Sequence, residues 1–357
     1  MFFQKKSYFC SVIKNKKSEA ATSDFLCSTW QSFYLLLWPE GVNESHKSFN
    51  MDKGTKKVQT PKQKGLKKAR KKYFSFGLAI NLAHKNPESP LYHSYINTLA
   101  CAKHLVVDEN GKAHSKYCKN RWCPLCQSIR IAKLIDGYKS QLEQYPELYF
   151  VTLTRPTVPA EELKEQREKM YKAFTSIRNS TMFRKGKFSG LRKAECTIRP
   201  NGHYHFHFHV LVNSKEAAEF MVKRWLKLNP DSVEDAQNIR KVDKSDESML
   251  EIFKYFTKLI AKLKNEDGTE QAYISYTRLN VIFEFMKGQR VFQPFGSLRP
   301  VEEDFDEEEL EADLDIEQAN SLWKWSISDW YNIDTGELLT GYEPASKLVD
   351  LLSHSED

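Results

Sequence analysis

The stretch E-C-T-I-R-P-N-G-H-Y-H-F-H-F-H-V-L-V, from Glu195 to Val212, decides the fold. Histidines occupy alternate positions, at His203, His205, His207 and His209, with Tyr204, Phe206, Phe208 and Val210 between and after them. A β-strand sends successive side chains to opposite faces, so this pattern puts imidazoles on one face and apolar groups on the other. The apolar face can bury against a core while the imidazole face lines a site. Pro200-Asn-Gly202 is a turn signal, which makes Lys193–Arg199 and His203–Val212 the arms of a hairpin. Glu195 lies on the first arm.

Outward from the hairpin, Tyr149–Thr154 (Y-F-V-T-L-T) reads as a central strand. Helices are expected over Ser128–Gln144, Pro159–Arg178, Ser214–Leu228 and Asp246–Leu263. Ser214 stands as N-cap of the third, with Glu216 and Glu219 in its first turns. The apolar stripe of the fourth is Met249, Ile252, Phe253, Phe256 and Leu259. Residues 76–106 read as mixed helical. Strands paired or alternating with helices give an α+β fold class. Trp323–Leu339 suggests a small hairpin turning at Asp334-Thr-Gly336.

Charge is unevenly spread. The net charge is +7, but ten Lys/Arg fall between Lys53 and Lys72 and eleven Asp/Glu between Glu302 and Glu317. The basic run, with Gly54, Pro61 and Gly65, reads as a flexible arm, and the basic body points to a polyanionic partner such as nucleic acid. The acidic run reads as a solvated linker. No apolar run approaches the ~20 residues of a membrane span, nothing resembles a cleaved signal peptide, and the expected location is the cytoplasm. Residues 1–50 carry no sustained period and receive no function.

Seven cysteines are present, and Cys118, Cys123 and Cys126 fall within nine residues. An odd count with tight clustering suits a metal in a reducing compartment better than disulfides. Zn²⁺ takes four N/S ligands in a tetrahedron. Cys101 is the leading fourth ligand, with His104 and His114 behind it. Arg121, Lys119 and Arg130 nearby are candidates for DNA phosphates. The bland reading, free thiols, is disfavoured by the clustering.

On the histidine strand, two imidazoles at i and i+2 can meet on one ion, and both His205/His207 and His207/His209 satisfy that spacing. Glu195 is the candidate third ligand. Such an ion keeps open positions for a phosphate oxygen and acts as a Lewis acid. Water or backbone satisfying a polar strand face is the plain alternative. Glu251, Tyr255 and Lys258 share one face if their segment is helical. A tyrosine needs help to act as a nucleophile, and a metal and a lysine supply it. Taken alone, E-x₃-Y-x₂-K is an everyday amphipathic pattern.

Together these motifs resemble the rolling-circle replication initiators of small bacterial plasmids, within the HUH (histidine–hydrophobic–histidine) endonuclease superfamily. Tyr149–Thr154, Tyr204–Leu211, Glu251-x₃-Tyr255-x₂-Lys258 and Cys118-x₄-Cys123-x₂-Cys126 look like successive blocks of that family. The resemblance covers residues 95–285. Phe206 departs from a proline often found there. The resemblance implies His207 and His209 as the metal pair binding Mg²⁺ or Mn²⁺, Tyr255 as the nucleophile and Glu251 as a carboxylate serving final hydrolysis. It leaves the roles of His203 and His205 open. It also implies an antiparallel sheet flanked by helices, with an N-terminal zinc-binding module. The implied activity is nicking one strand of plasmid origin DNA, single-stranded at the nick, with a 5′-phosphotyrosyl intermediate and a 3′-OH primer. A host helicase is a further implied partner. The rival readings are a single-tyrosine HUH transposase and a non-catalytic zinc-containing DNA-binding protein. The expected division is 1–50 leader, 51–75 basic arm, 76–145 cysteine module and helix, 146–290 endonuclease domain, and 291–357 acidic linker with an aromatic C-terminal segment.

Overall fold

A computed structural model describes residues 61–109, 113–242, 251–253, 258–264, 270–303 and 320–353. In chain order the helices are α1 (Pro61–Lys85), α2 (Tyr92–Leu99), α3 (Pro124–Glu143), α4 (Leu163–Arg178), α5 (Thr181–Lys185), α6 (Lys215–Leu228), α7 (Tyr276–Met286) and α8 (Ser346–Ser353). The strands are β1 (His104–Val107), β2 (Ala113–Ser115), β3 (Tyr149–Thr154), β4 (Gly190–Ile198), β5 (Tyr204–Val212), β6 (Asn238–Lys241), β7 (Ala261–Lys264), β8 (Glu270–Tyr273), β9 (Phe292–Phe295), β10 (Leu322–Ser326) and β11 (Asp329–Asn332).

The histidine hairpin is the centre of a five-stranded antiparallel sheet ordered β6-β3-β5-β4-β9. Its turn closes with Gly202 N–H donating to Arg199 O at 2.9 Å and Arg199 N–H to His203 O at 2.8 Å. Gly202 has φ +80°, a conformation that costs a residue without Cβ least. The edge strand β9 carries Pro294, whose missing donor is tolerated at an edge.

Alternation on β5 separates two environments. Tyr204, Phe206, Phe208 and Val210 are all buried. Phe208 meets Tyr171 and Phe174 of α4 and Trp225 of α6, with ring centroids 5.3–6.0 Å apart. Phe206 lies edge-on to Phe285 of α7 at 5.2 Å. Burying each such ring contributes about 1.5–3 kcal/mol, so this face anchors the sheet to its helices. The opposite face carries the histidines.

A second sheet, ordered β11-β10-β1-β2, joins the cysteine region to the C-terminal hairpin. Leu105 of β1 pairs with Trp323 of β10, and Trp330 Nε1–H donates to Ala102 O at 2.8 Å. The aromatic C-terminal segment is therefore part of the cysteine module's sheet and not a separate appendix. Its hairpin turns between Ser326 and Asp329, earlier than expected. Asp334–Gly336 makes a second reversal, with Gly336 N–H donating to Asn332 O at 2.9 Å.

Three further expectations are corrected. The basic run is no flexible arm from Pro61 onward. It forms α1, with Pro at the helix start where its missing N–H costs nothing, and Ala69, Lys72 and Tyr73 are buried. The mixed helical reading of 76–106 ends early, because His104–Val107 is the strand β1. The helix expected over Asp246–Leu263 is absent from its described parts. Glu251–Phe253 is one 3-10 turn, and Ala261–Lys264 pairs with Glu270–Tyr273 as β7-β8. Ala261-Lys-Leu-Lys alternates with period two and Asp267-Gly268 is a hairpin signal, which outweighs the weaker helical stripe. Tyr255 lies outside the described residues.

Candidate metal centre

The register of β4 against β5 places Glu195 opposite His207, Lys193 opposite His209 and Thr197 opposite His205. On the other side, β3 places Thr152 opposite His209 and Thr154 opposite His207. Directly opposite residues share a face, so Lys193, Glu195, His207, His209 and Thr152 converge. Ligand atoms of Glu195, His207 and His209 all lie within 4.8 Å of one another.

The hydrogen bonds orient the ligands. His207 Nδ1–H donates to its own strand's His205 carbonyl at 3.1 Å, since a carbonyl only accepts. That leaves the His207 Nε2 lone pair directed at His209 Nε2, 3.0 Å away. His209 Nε2 is 3.4 Å from Glu195 Oε2, and its Nδ1 is 3.3 Å from the Thr152 hydroxyl. The Thr152 hydroxyl can donate to Nδ1 while Nε2–H faces Glu195, or accept from Nδ1–H when Nε2 is needed as a metal ligand, the usual arrangement behind a ligating histidine. Two imidazole nitrogens and a carboxylate oxygen suit a divalent cation of the Mg²⁺, Mn²⁺ or Zn²⁺ type. Glu195 and His207 are buried, while His209 is half-buried and faces the open side.

Electrostatics fits the same arrangement. Burial opposes ionisation of Glu195, but the hydrogen bond to His209 and the charge of Lys193 outweigh it and hold the carboxyl well below its usual range. Burial drives the His207 pKa down to about 3, against the pull of Glu195. Burial, with Arg199 beside it, lowers His205 to about 4. The centre therefore has a carboxylate at Glu195 and a neutral imidazole at His207 over the whole neutral range, as ligands must be.

His205 is buried outside this group. It stacks on His207 at 4.6 Å and accepts from Arg199 Nη2 at 2.8 Å through Nδ1. His203 sits at the turn, not brought to the centre. Lys193 and Thr152 are partners that the sequence reading missed. Their signal was available: Lys193, Glu195 and Thr197 alternate on β4 as the histidines do on β5.

The 3-10 turn Glu251–Phe253 lies on the histidine face. Phe253 is buried, stacked on Tyr138 of α3 at 6.0 Å and against Phe292 of β9 at 5.6 Å, and Phe292 pairs with Lys193. Glu251–Phe253 is thereby held on the same face of the sheet as Lys193. Lys258 is exposed and lies outside the described helices, while Glu251 opens the 3-10 turn.

The second cluster is built from α2, β2 and the start of α3. Cys101 follows α2, Cys118 follows β2, Cys123 caps α3 and Cys126 lies in its first turn. Sulfur separations are 3.4 Å for Cys101–Cys126, 3.5 Å for Cys118–Cys126 and 3.8 Å for Cys101–Cys123. All four thiols lie within 4.8 Å, the approach expected of ligands around one ion. Burial raises Cys123, yet hydrogen bonds from its three neighbours more than reverse this and favour its thiolate. The alternatives for a fourth ligand are elsewhere: His114 pairs with Asp108 at 3.1 Å, and His104 is exposed on β1.

Among the described residues, no helix is long and apolar enough to cross a membrane. Residues 111–331 match the family model described as Replication protein. A segment of 117 residues is 32% identical to a "Protein rep" of Lentilactobacillus hilgardii, covering 30% of this chain and 37% of that protein. No solved structure matches the chain.

Proposed function

This chain belongs to the Replication protein family, and from that premise we propose that it is a plasmid replication initiator that nicks one strand at its origin. The observation that carries the reading is the convergence of Glu195, His207 and His209 on one open sheet face. In this reading the sheet with its helices is an HUH-type nuclease unit of residues 146–290, extended past that boundary by the edge strand β9. Glu195, His207 and His209 hold Mg²⁺ or Mn²⁺, and Cys101, Cys118, Cys123 and Cys126 hold Zn²⁺. The divalent ion, when bound, supplies Lewis acidity to a phosphodiester.

The chain's own residues do the rest. Glu195, fixed as a carboxylate, and His207, fixed as a neutral ring, orient the reacting centre without needing to change protonation near neutral pH. Phe253 holds its turn against Phe292, and Tyr255, two residues further along the sequence, serves as the nucleophile. A bond forms from the phenol oxygen to phosphorus and the bond from phosphorus to the 3′-oxygen breaks. The phenol proton is formally returned to that oxygen. The products are a 5′-phosphotyrosyl link and a 3′-OH that primes synthesis. Glu251 serves the later hydrolysis, and Lys258 stabilises phenolate. Positioning accounts for much of the acceleration. The partner is origin DNA, single-stranded at the nick, and the cytoplasm of a bacterium is the setting.

The test is to incubate the protein with labelled origin oligonucleotide and Mn²⁺, then map the adducted residue by mass spectrometry. An adduct on Tyr255, lost in Tyr255→Phe, is expected. Undiminished nicking by Tyr255→Phe would remove the nucleophile from this reading, and no adduct with the unmutated protein would favour a DNA-binding role without catalysis.

A further inference from the structure

The least expected group in the centre is Lys193. It is a fully buried lysine in the middle of a sheet, opposite His209, with no solvent route for its charge. Its Nζ donates to Glu195 Oε2 at 2.7 Å. That oxygen is the one that lies 3.4 Å from His209 Nε2, so it is the oxygen facing the histidine pair. The ammonium and a metal ion would thus draw on the same oxygen. A buried ammonium paired with a carboxylate is costly to strip, because a charge left alone in the interior is destabilising.

Resting on the reading of Glu195, His207 and His209 as a divalent-cation centre, we propose that Lys193 is a built-in competitor of the metal. It holds the carboxylate in the metal-free protein and must give up its grip on Oε2 when an ion enters. Lys193 is therefore a positioning residue that acts through Glu195. It keeps the metal-free centre folded and neutral in charge, and it sets the ion's affinity low enough for ready exchange. The sequence supports the pairing: Lys193 and Glu195 are two apart on β4, so both side chains point to the histidine face. A residue that merely oriented Glu195 for the metal would have the opposite effect on affinity, since losing an orienting partner typically weakens binding 10–100-fold.

The experiment measures Mn²⁺ binding to the full chain by titration calorimetry, and free Mn²⁺ by paramagnetic resonance, with no DNA present. Lys193→Met is compared with the unmutated protein, Lys193→Arg and the Lys193→Met/Glu195→Gln double variant. Lys193→Met is expected to bind Mn²⁺ about tenfold or more tightly, and Lys193→Arg to remain near the unmutated affinity. Without metal, Lys193→Met is expected to melt at a lower temperature, with the double variant recovering most of the loss because no unpaired carboxylate remains. Equal or weaker Mn²⁺ binding by Lys193→Met would overturn the proposal while leaving the metal centre standing. Absence of Mn²⁺ binding by the unmutated protein and by Lys193→Met alike, or undiminished binding by His207→Ala, would overturn the centre and the proposal together.

Discussion

His203 and His207 belong to one alternating run of sequence, yet His203 falls just before β5 and the structure treats them differently. His207 is buried between His205, His209 and Glu195, while His203 sits at the turn with its backbone N–H donating to Asn201. His207→Ala is expected to abolish nicking and Mn²⁺ binding while leaving the circular dichroism spectrum intact. His203→Ala is expected to change neither. A more damaging His203→Ala would mean that the working pair is misplaced along β5. Acid sensitivity belongs at this scale too. His207 and His205 are held near 3 and 4, below the 6.5 of an unperturbed imidazole, and Glu195 is also depressed. The unfolded chain therefore binds more protons than the native one as pH falls from about 6.5. The stability from these groups is complete above that value and is lost progressively down to about pH 3. The melting temperature of the metal-free protein should fall along that limb, and His207→Gln should make the fall shallower.

At the scale of elements, the hairpin is a beam with one side glued and the other side working. Phe208 contacts α4 and α6 and touches no candidate ligand. Phe208→Ala should cost about 3–5 kcal/mol in denaturant unfolding, with Mn²⁺ affinity unchanged for the molecules that remain folded. The hairpin, its register-facing glutamate, and the helices α4 and α6 were legible in the sequence because their periods are strong. Ser214 caps α6 as its position suggests, accepting from Ala217 N–H at 3.4 Å. The segment after residue 250 was not legible. Its stripe of Ile252, Phe253 and Leu259 fits a helix, but Phe253 is buried by tertiary stacking on Tyr138 and Phe292 and not by helical packing. Periodicity reports which residues are buried and is silent on what buries them. Lys193 went unread for a related reason: a lone lysine on a strand usually reaches solvent.

Across the whole molecule, the cysteine cluster ties four elements to one point. Its sulfurs are backed by α1, where Ser75 Oγ lies 3.0 Å from Cys123 Sγ and the buried Lys72 donates from Nζ to Leu99 O at 3.1 Å. α1 in turn packs on α2, α3, α7, α8 and β11. One zinc per chain is expected by elemental analysis. Its removal by chelator should lower the melting temperature of the entire chain, since the element it braces is shared. Cys123→Ser should lose the zinc, and unchanged zinc content in that variant would sink the assignment. Three of the four ligands were visible as spacing alone, and Cys101 only as the nearest remaining thiol. The contribution of residues 320–353 was invisible, because no local pattern announces a strand partner at the far end of a chain.

That distant partner has a consequence for how the protein is made. Leu105 leaves the ribosome more than two hundred residues before Trp323, the residue it must pair with. For most of synthesis β1 has only the short strand β2 beside it, and Trp330 has not yet been added to reach Ala102. The cysteines are all present by residue 126, so the nascent chain can load its ion long before its sheet is finished. The order of manufacture is thus cysteine cluster first, histidine sheet second and C-terminal closure last. A chain cut short between β9 and residue 322 would carry both candidate ligand clusters yet leave the β11-β10-β1-β2 sheet without two of its strands.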